Sequence, residues 1–252
     1  MSKFAELLPV LYAHEERSGW SRGMRALTHA LLARRPPAPG PMLEVGCGGG
    51  AFLTELANYY PDRTQVGIDL NSVALGVAQT KFSGGPTLGQ ADLQQLPFAA
   101  ATFGAVVALD SFDQQGVDTK TGLAETWRVL RPRGLLLLRV SAHHWLEGAH
   151  DVAFNTGRRF ARTEIVRLLH GVGFATVQTT YANTLLSPAI VAVRLLQRWG
   201  VLSLNESLYT APDANRLLGL ALQCEAQWLR QRNLGFGVSL YALAIKPVES
   251  QS

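Results

Sequence analysis

Cysteine is nearly absent. Cys47 and Cys224 are the only two in 252 residues, too few for a disulfide framework or a cysteine-based metal site, so no metal is expected. Charge is sparse as well: Asp, Glu, Lys and Arg make up 17% of the chain, with no block of like charge to mark a solvated tail. No run approaches the roughly 18 uninterrupted apolar residues that a membrane-spanning helix needs. The first residues, Met1-Ser2-Lys3-Phe4-Ala5-Glu6, lack the basic start, apolar stretch and cleavage site of a secretory signal, so a cytoplasmic location is expected. Internal repeats and low-complexity segments are missing too. What is present is a 47% hydrophobic chain with a net charge of +4, long enough for one large domain with a substantial core. Its arginines are scattered rather than massed, which reads as solvated surface rather than a nucleic-acid-binding patch.

The most informative stretch is Met42-Leu43-Glu44-Val45-Gly46-Cys47-Gly48-Gly49-Gly50-Ala51-Phe52. An apolar strand carrying an acid runs into a glycine-dense turn, and a helical pattern follows. Glycines permit a sharp turn and close approach of a ligand, and the next helix aims its first N–H groups at whatever sits there. Gly46-x-Gly48-x-x-Ala51, with Asp69 about 20 residues on, satisfies a relaxed dinucleotide fingerprint. Glu44 argues against a pyrophosphate, because like charges repel. Asp92 follows a third short strand, and the buried-type run Phe103-Gly104-Ala105-Val106-Val107-Ala108-Leu109 ends in Asp110.

Strand and helix patterns alternate from residue 42: strands over 42–46, 64–69, 87–90, 103–109 and 134–141, with helices over 50–59, 72–82 and 118–130. Residues 1–35 read as helical, and Arg35-Pro36-Pro37-Ala38-Pro39-Gly40-Pro41 is a connector that cannot continue a helix. A helix from about 162, a strand over 175–181, helices over 185–200 and 211–232, and a strand over 237–245 complete the chain. Such alternation predicts an α/β fold, a doubly wound and mostly parallel sheet with helices on both faces. Ligands of these sheets bind beyond the carboxyl ends of the strands, where Glu44, Asp69, Asp92 and Asp110 would lie.

Acids after successive strands suit a ligand with an amino group, a ribose diol and an adenine amine but no phosphate. The chain resembles the class I S-adenosylmethionine (SAM)-dependent methyltransferases, in particular a bacterial type 11-like subgroup. The matching residues are Leu43-Glu44-Val45-Gly46-Cys47-Gly48-Gly49-Gly50, then Val66-Gly67-Ile68-Asp69-Leu70, Ala91-Asp92-Leu93 with Leu96-Pro97-Phe98, and Trp127 to Leu136. The resemblance implies a seven-stranded Rossmann-like sheet whose last strand inserts antiparallel, with two extra helices before it. It divides a single domain into an N-terminal helical lid (1–41), a SAM-binding core (42–181), a helical insertion or cap (182–235) and the final strand (236–247). Trp20 to Leu27, and Trp145 to Asp151 with Arg158-Arg159-Phe160, resemble outer elements of the subgroup. Thr156 stands where members often carry a histidine.

The chemistry of the donor assigns roles. Glu44 is expected to hold the methionine ammonium, with backbone groups of Gly46, Cys47 and Gly48 against the amino-acid part. Asp69 is expected to accept the ribose hydroxyls, with Leu70 under the adenine. Asp92 is expected to accept the adenine amine, with Leu93 donating its N–H to the ring. Asp110 faces the methyl donor, and Arg22 or Arg25 is a candidate fork for the methionine carboxylate. Cys47 reads as a small turn residue rather than a nucleophile. Proton removal near neutral pH suits a histidine; His143 and His144 follow strand five at the ligand end of the sheet and His150 lies in the loop beyond, and the catalytic candidates are Asp110, His143 and His150. Tyr12 and Trp20 are candidates for closing over the cofactor.

Residues 185–199 carry a wide apolar stripe punctuated by Arg194 and Arg198. Such a helix can lie at a membrane surface; packing on the sheet or over the acceptor pocket is the preferred reading. The leading function is therefore methyl transfer to a small-molecule acceptor, lipophilic ones included. A non-catalytic SAM-binding regulator and an NAD(P)-dependent oxidoreductase are the alternatives. Leu109-Asp110-Ser111-Phe112 does not resemble the Pro-Pro element of base-methylating enzymes, which argues against a nucleic-acid partner.

Overall fold

The structure, a computed structural model, describes residues 12, 18–82, 84–148, 151–152, 154–201 and 212–248. Its elements are α1 (Gly19–Arg34), β1 (Met42–Val45), α2 (Ala51–Tyr59), β2 (Gln65–Asp69), α3 (Ser72–Gln79), β3 (Thr87–Gln90), β4 (Phe103–Leu109), α4 (Thr119–Val129) and β5 (Leu130–Ser141). They continue with a 3₁₀ turn (His144–Leu146), α5 (Arg162–Val172), β6 (Thr176–Ala182), α6 (Ser187–Arg198), α7 (Pro212–Leu229) and β7 (Ser239–Ile245).

Local chemistry sets the helix starts. The Asn71 side chain accepts from the N–H groups of Val73 and Ala74 to begin α3, and the Asp118 side chain accepts from Lys120 and Thr121 to begin α4. Each supplies an acceptor for N–H groups that no helical carbonyl can reach. The prolines after Arg35 end α1, as expected.

Seven strands form one sheet in the order β3-β2-β1-β4-β5-β7-β6. The β1–β2, β1–β4, β2–β3 and β4–β5 pairs are parallel, and β7 runs antiparallel to both β5 and β6. The expected doubly wound sheet with its inverted last strand is what the chain adopts. β4 and, Arg139 apart, the Gly134–Val140 stretch of β5 are apolar runs because helices cover both faces. Alternation along β5 divides the core: Leu136 and Leu138 pack with Leu43, Val106, Leu123, Ile165 and Leu169 on one face. Leu135 and Leu137 face the other way, with Met24, Leu27, Leu31, Leu222 and Tyr241.

Three elements differ from the sequence reading. β5 begins at Leu130 rather than 134, because Leu130 already pairs with Phe103 before the register shifts toward Ala105. α1 is a layer of the core rather than a cover for the ligand end: Met24, Leu27, Leu31 and Leu32 are buried against the sheet. α7 joins it there through Leu222, Ala226 and Leu229, and a Cβ on Gly23 would come within 2.4 Å of the Leu222 Cβ. α6 does not pack on the sheet, since Ser187 is its one buried residue.

Candidate functional site

The glycine turn after β1 is locked to its neighbour strand. Gly46 and Cys47 both donate N–H groups to the Ile68 carbonyl at 2.8 and 2.9 Å. Gly46 has φ +73°, and a Cβ there would stand 2.7 Å from the Ser111 Cβ in the loop after β4. Glycine is required on both grounds, a left-handed backbone and a close neighbour. Tyr12 stands over the same turn, its ring 3.0 Å from where a Gly48 Cβ would be. It is the one described residue before Ser18.

Carboxylates lie along this rim. Glu44 is buried within β1, 3% exposed. Asp69 ends β2; its Oδ2 accepts from the Gly48 N–H and its Oδ1 from the Asn71 N–H, both at 2.8 Å. The acid therefore holds the glycine turn as well as facing it, a role the spacing alone did not reveal. The Cys47 thiol registers the field between them: burial, and then the charges of Glu44 and Asp69, push its pKa up. A thiol kept protonated in this way is a poor nucleophile. Leu70 follows Asp69 and is 66% exposed. Asp92 accepts from the Gln94 N–H at 2.8 Å. The Leu93 side chain packs against Gly122 of α4.

The loop after β4 is more crowded than the sequence indicated. Asp110 adopts φ +56° and receives a two-point ion pair from Arg139: Nε to Oδ1 at 2.8 Å and Nη2 to Oδ2 at 2.6 Å. Both carboxylate oxygens are thus committed to a guanidinium in a planar, two-point arrangement. Ser111 and Asp113 went unnoticed in the sequence. The Ser111 hydroxyl is buried beside Gly46, and neither it nor Asp113 Oδ1 has a hydrogen-bond partner among the described residues. Asp113 Oδ2 accepts from the Ser141 N–H at 2.7 Å.

The Asp113 carboxyl is pushed up to about 6, first by burial and then by the Asp110 charge, against the Ser141 bonds and Arg139. A carboxyl raised in the folded state contributes stability that is complete below its unfolded value near 3.8 and lost as pH rises through about 6. Asp113→Asn is expected to flatten that fall in urea denaturation midpoints between about pH 4 and pH 6. An unchanged slope in the variant would remove Asp113 as its source.

His143 begins the loop after β5. Its backbone sits at φ 62°, ψ 106°, a strained conformation for a residue with a side chain. The ring stacks on Tyr181 and Phe236 at centroid distances of 5.1 and 5.0 Å. Its Nε2 is buried with no partner among the described residues. Burial first, and then the Arg159 charge, lower its pKa against a bond to the Gly237 backbone. His150 lies outside the described residues. Arg22 sits on an exposed face of α1, and Arg25 pairs with Glu55 of α2 at 2.6 Å. Farther along the loop, Asp151 is held by Arg159 at 2.5 Å and by Arg194 of α6 at 3.3 Å. Thr156 bridges to Gln114, which ties this loop to the one after β4.

In a sheet of this order, the glycine turn after the first strand and the carboxylates along the adjoining rim lie where such folds bind their ligands, beyond the carboxyl ends of the strands. Residues 43–138 match the family described as "Methyltransferase domain". It is 36% identical over 118 residues to a demethylmenaquinone methyltransferase of Roseiflexus castenholzii, covering 46% of this chain and 48% of the relative. A trans-aconitate 2-methyltransferase of Deinococcus radiodurans is 29% identical over 180 residues, covering 71% of this chain and 64% of that one. The chain thus spans about half the length of the first curated relatives it matches. The phosphoethanolamine N-methyltransferase 2 of Haemonchus contortus, solved in complex with SAM, shares the fold with a TM-score of 0.59 at 19% identity, over 88% of this chain and 52% of that one.

Proposed function

We propose that the protein is a SAM-dependent methyltransferase acting on a small-molecule acceptor in the cytoplasm. The observation that carries this reading is the negative rim around a glycine-rich turn: Glu44 and Asp69 act together on Cys47, and Asp69 is bonded to Gly48. The residues present fit the donor. A rim of carboxylates favours a cation and repels a diphosphate, which sets the oxidoreductase alternative aside. The buried Ser111 hydroxyl, without a partner among the described residues, offers a further polar contact beside Gly46.

Glu44 holds the methionine ammonium, and the backbone of Gly46, Cys47 and Gly48 lines the amino-acid part. Asp69 takes the ribose hydroxyls on its remaining lone pairs, since each carboxylate oxygen accepts more than one bond. Asp92 takes the adenine amine and the Leu93 N–H the ring, with Leu70 as the apolar platform. SAM, when bound, supplies an activated methyl group for in-line displacement. The chain's task is to align the acceptor and, for a protonated one, to remove its proton. His143 is the proton acceptor in this reading. Asp110, committed to Arg139, shapes the loop after β4 rather than moving a proton. The relatives are named for different acceptors, demethylmenaquinone and trans-aconitate, so the acceptor is not carried over.

Calorimetry with SAM, S-adenosylhomocysteine and NAD tests the reading: the first two should bind and NAD should not. Asp69→Ala should weaken SAM binding by about 1–3 kcal/mol, the cost of removing a charged hydrogen-bond acceptor. Unchanged affinity would take Asp69 out of the site. Transfer of labelled methyl groups into a fractionated metabolite extract distinguishes an enzyme from a SAM-binding regulator.

A further inference from the structure

The exposed apolar side chains are not spread evenly. Trp145, Val152 and Phe154 lie in the connection between β5 and α5, and Leu185, Trp199 and Val201 flank α6; all six are exposed, Val152 at 84% and Trp199 at 70%. The two segments are joined. Arg194 of α6 donates to the Leu146 carbonyl at 3.0 Å and to Asp151 at 3.3 Å. Between them lies a cavity of about 430 Å³ whose walls include Trp145, Asp151, Val152, Thr156 and Arg198. Thr156 reaches Gln114, and the Gln114 side chain donates to the Asp110 carbonyl, so the cavity adjoins the loop after β4, on the methyl-donor side. α6 itself buries one residue, Ser187, while its apolar stripe Ile190-Val191-Val193-Leu195-Leu196 is only half-buried.

Charge indicates what rests on this surface. From Asn183 to Asn205 the chain carries Arg194 and Arg198 and no acid. Tryptophans next to arginines at the edge of an apolar stripe are the side chains that settle at the headgroup level of a bilayer. Among the described residues no helix is long and apolar enough to cross a membrane, so the association would be peripheral.

We propose that α6 and the β5–α5 connection dock on an anionic bilayer, and that the methyl acceptor is a membrane-borne amphiphile. Its polar head enters the cavity lined by Asp151, Thr156 and Arg198, and its tail leaves between Trp145, Val152 and the lipid. The acceptor half of this inference rests on the methyltransferase reading; the docking half does not.

The test is co-sedimentation of the full chain with phosphatidylcholine vesicles with and without phosphatidylglycerol. Protein should pellet with the anionic vesicles. Arg198→Gln should weaken that binding roughly fivefold, and raised salt should weaken it further. Trp199→Glu combined with Val201→Glu should abolish pelleting while leaving the thermal midpoint and SAM affinity unchanged. Absence of binding, or binding that survives the double substitution, overturns the proposal. So does a dimer in light scattering that the same substitutions dissociate, because a second copy would then cover the surface. Vesicle binding by a protein that calorimetry shows to ignore SAM would sink the methyltransferase reading, and the amphiphile acceptor with it, but leave the docking surface standing.

Discussion

His143→Phe should lower kcat by about 10²- to 10⁴-fold, the range for loss of a positioned general base, with SAM affinity unchanged. Phenylalanine keeps the stack between Tyr181 and Phe236 and removes both ring nitrogens, so packing and proton transfer are separated. The site holds this histidine at some cost. A buried nitrogen with no partner among the described residues and a backbone at φ 62°, ψ 106° are each unfavourable, and such costs concentrate where chemistry is done. The lowered pKa gives the sign of the pH dependence. The ring is neutral, and able to take a proton, at neutral pH; activity should fall only as pH drops through a value below the ordinary 6.5. Steady-state kcat across pH for the wild type and the variant checks this. A variant with full turnover, or one that retains the acid limb of the wild-type profile, would transfer the role elsewhere.

Asp110→Ala should cost roughly 2–4 kcal/mol of folding stability. The loss arises less from the half-exposed carboxylate than from the Arg139 guanidinium left behind, whose side chain is only 12% exposed. Stranding one member of a buried pair costs about 3–5 kcal/mol, somewhat less where one partner reaches solvent. Burial alone would lower the Arg139 pKa; Asp110 reverses this, and the net direction is up. Asp110→Ala combined with Arg139→Met should recover most of the loss, because neither charge then remains. Chemical denaturation of the two variants measures the difference. A single variant of wild-type stability but without turnover would return Asp110 to the reacting centre.

The fold was legible where side-chain period and turn chemistry agree. β3 and β4 fall on the residues expected of them, and the capping Asn71 and Asp118 stand one residue before their helices. The row of acids was legible because Glu44 stands near the end of a strand, Asp69 closes one, and Asp92 and Asp110 each follow one. Pairings between distant segments were not. Arg139 is the one charge in the apolar run from Leu135 to Val140, and that anomaly could have signalled a partner; only the pairing of Leu109 with Arg139 identifies it as the neighbouring Asp110. The apolar stripe of α6 was equally visible, but periodicity reports that a face is apolar and not what lies against it. The buried hydroxyl of Ser111 and the raised carboxyl of Asp113 depend on burial, which no single sequence displays.

The interlocking of α1 with α7 bears on how this protein can be dissected. The stretch matching the family ends at residue 138, yet one side of that stretch is roofed by segments from both extremities of the chain, Met24 to Leu32 and Leu222 to Leu229. Excised alone, it would lay Val107, Leu135 and Leu137 open to water and leave β5 without β7, its hydrogen-bonded neighbour on one edge. Catalytic shuffling between relatives would therefore have to move the roof together with the sheet, or supply another of matching shape.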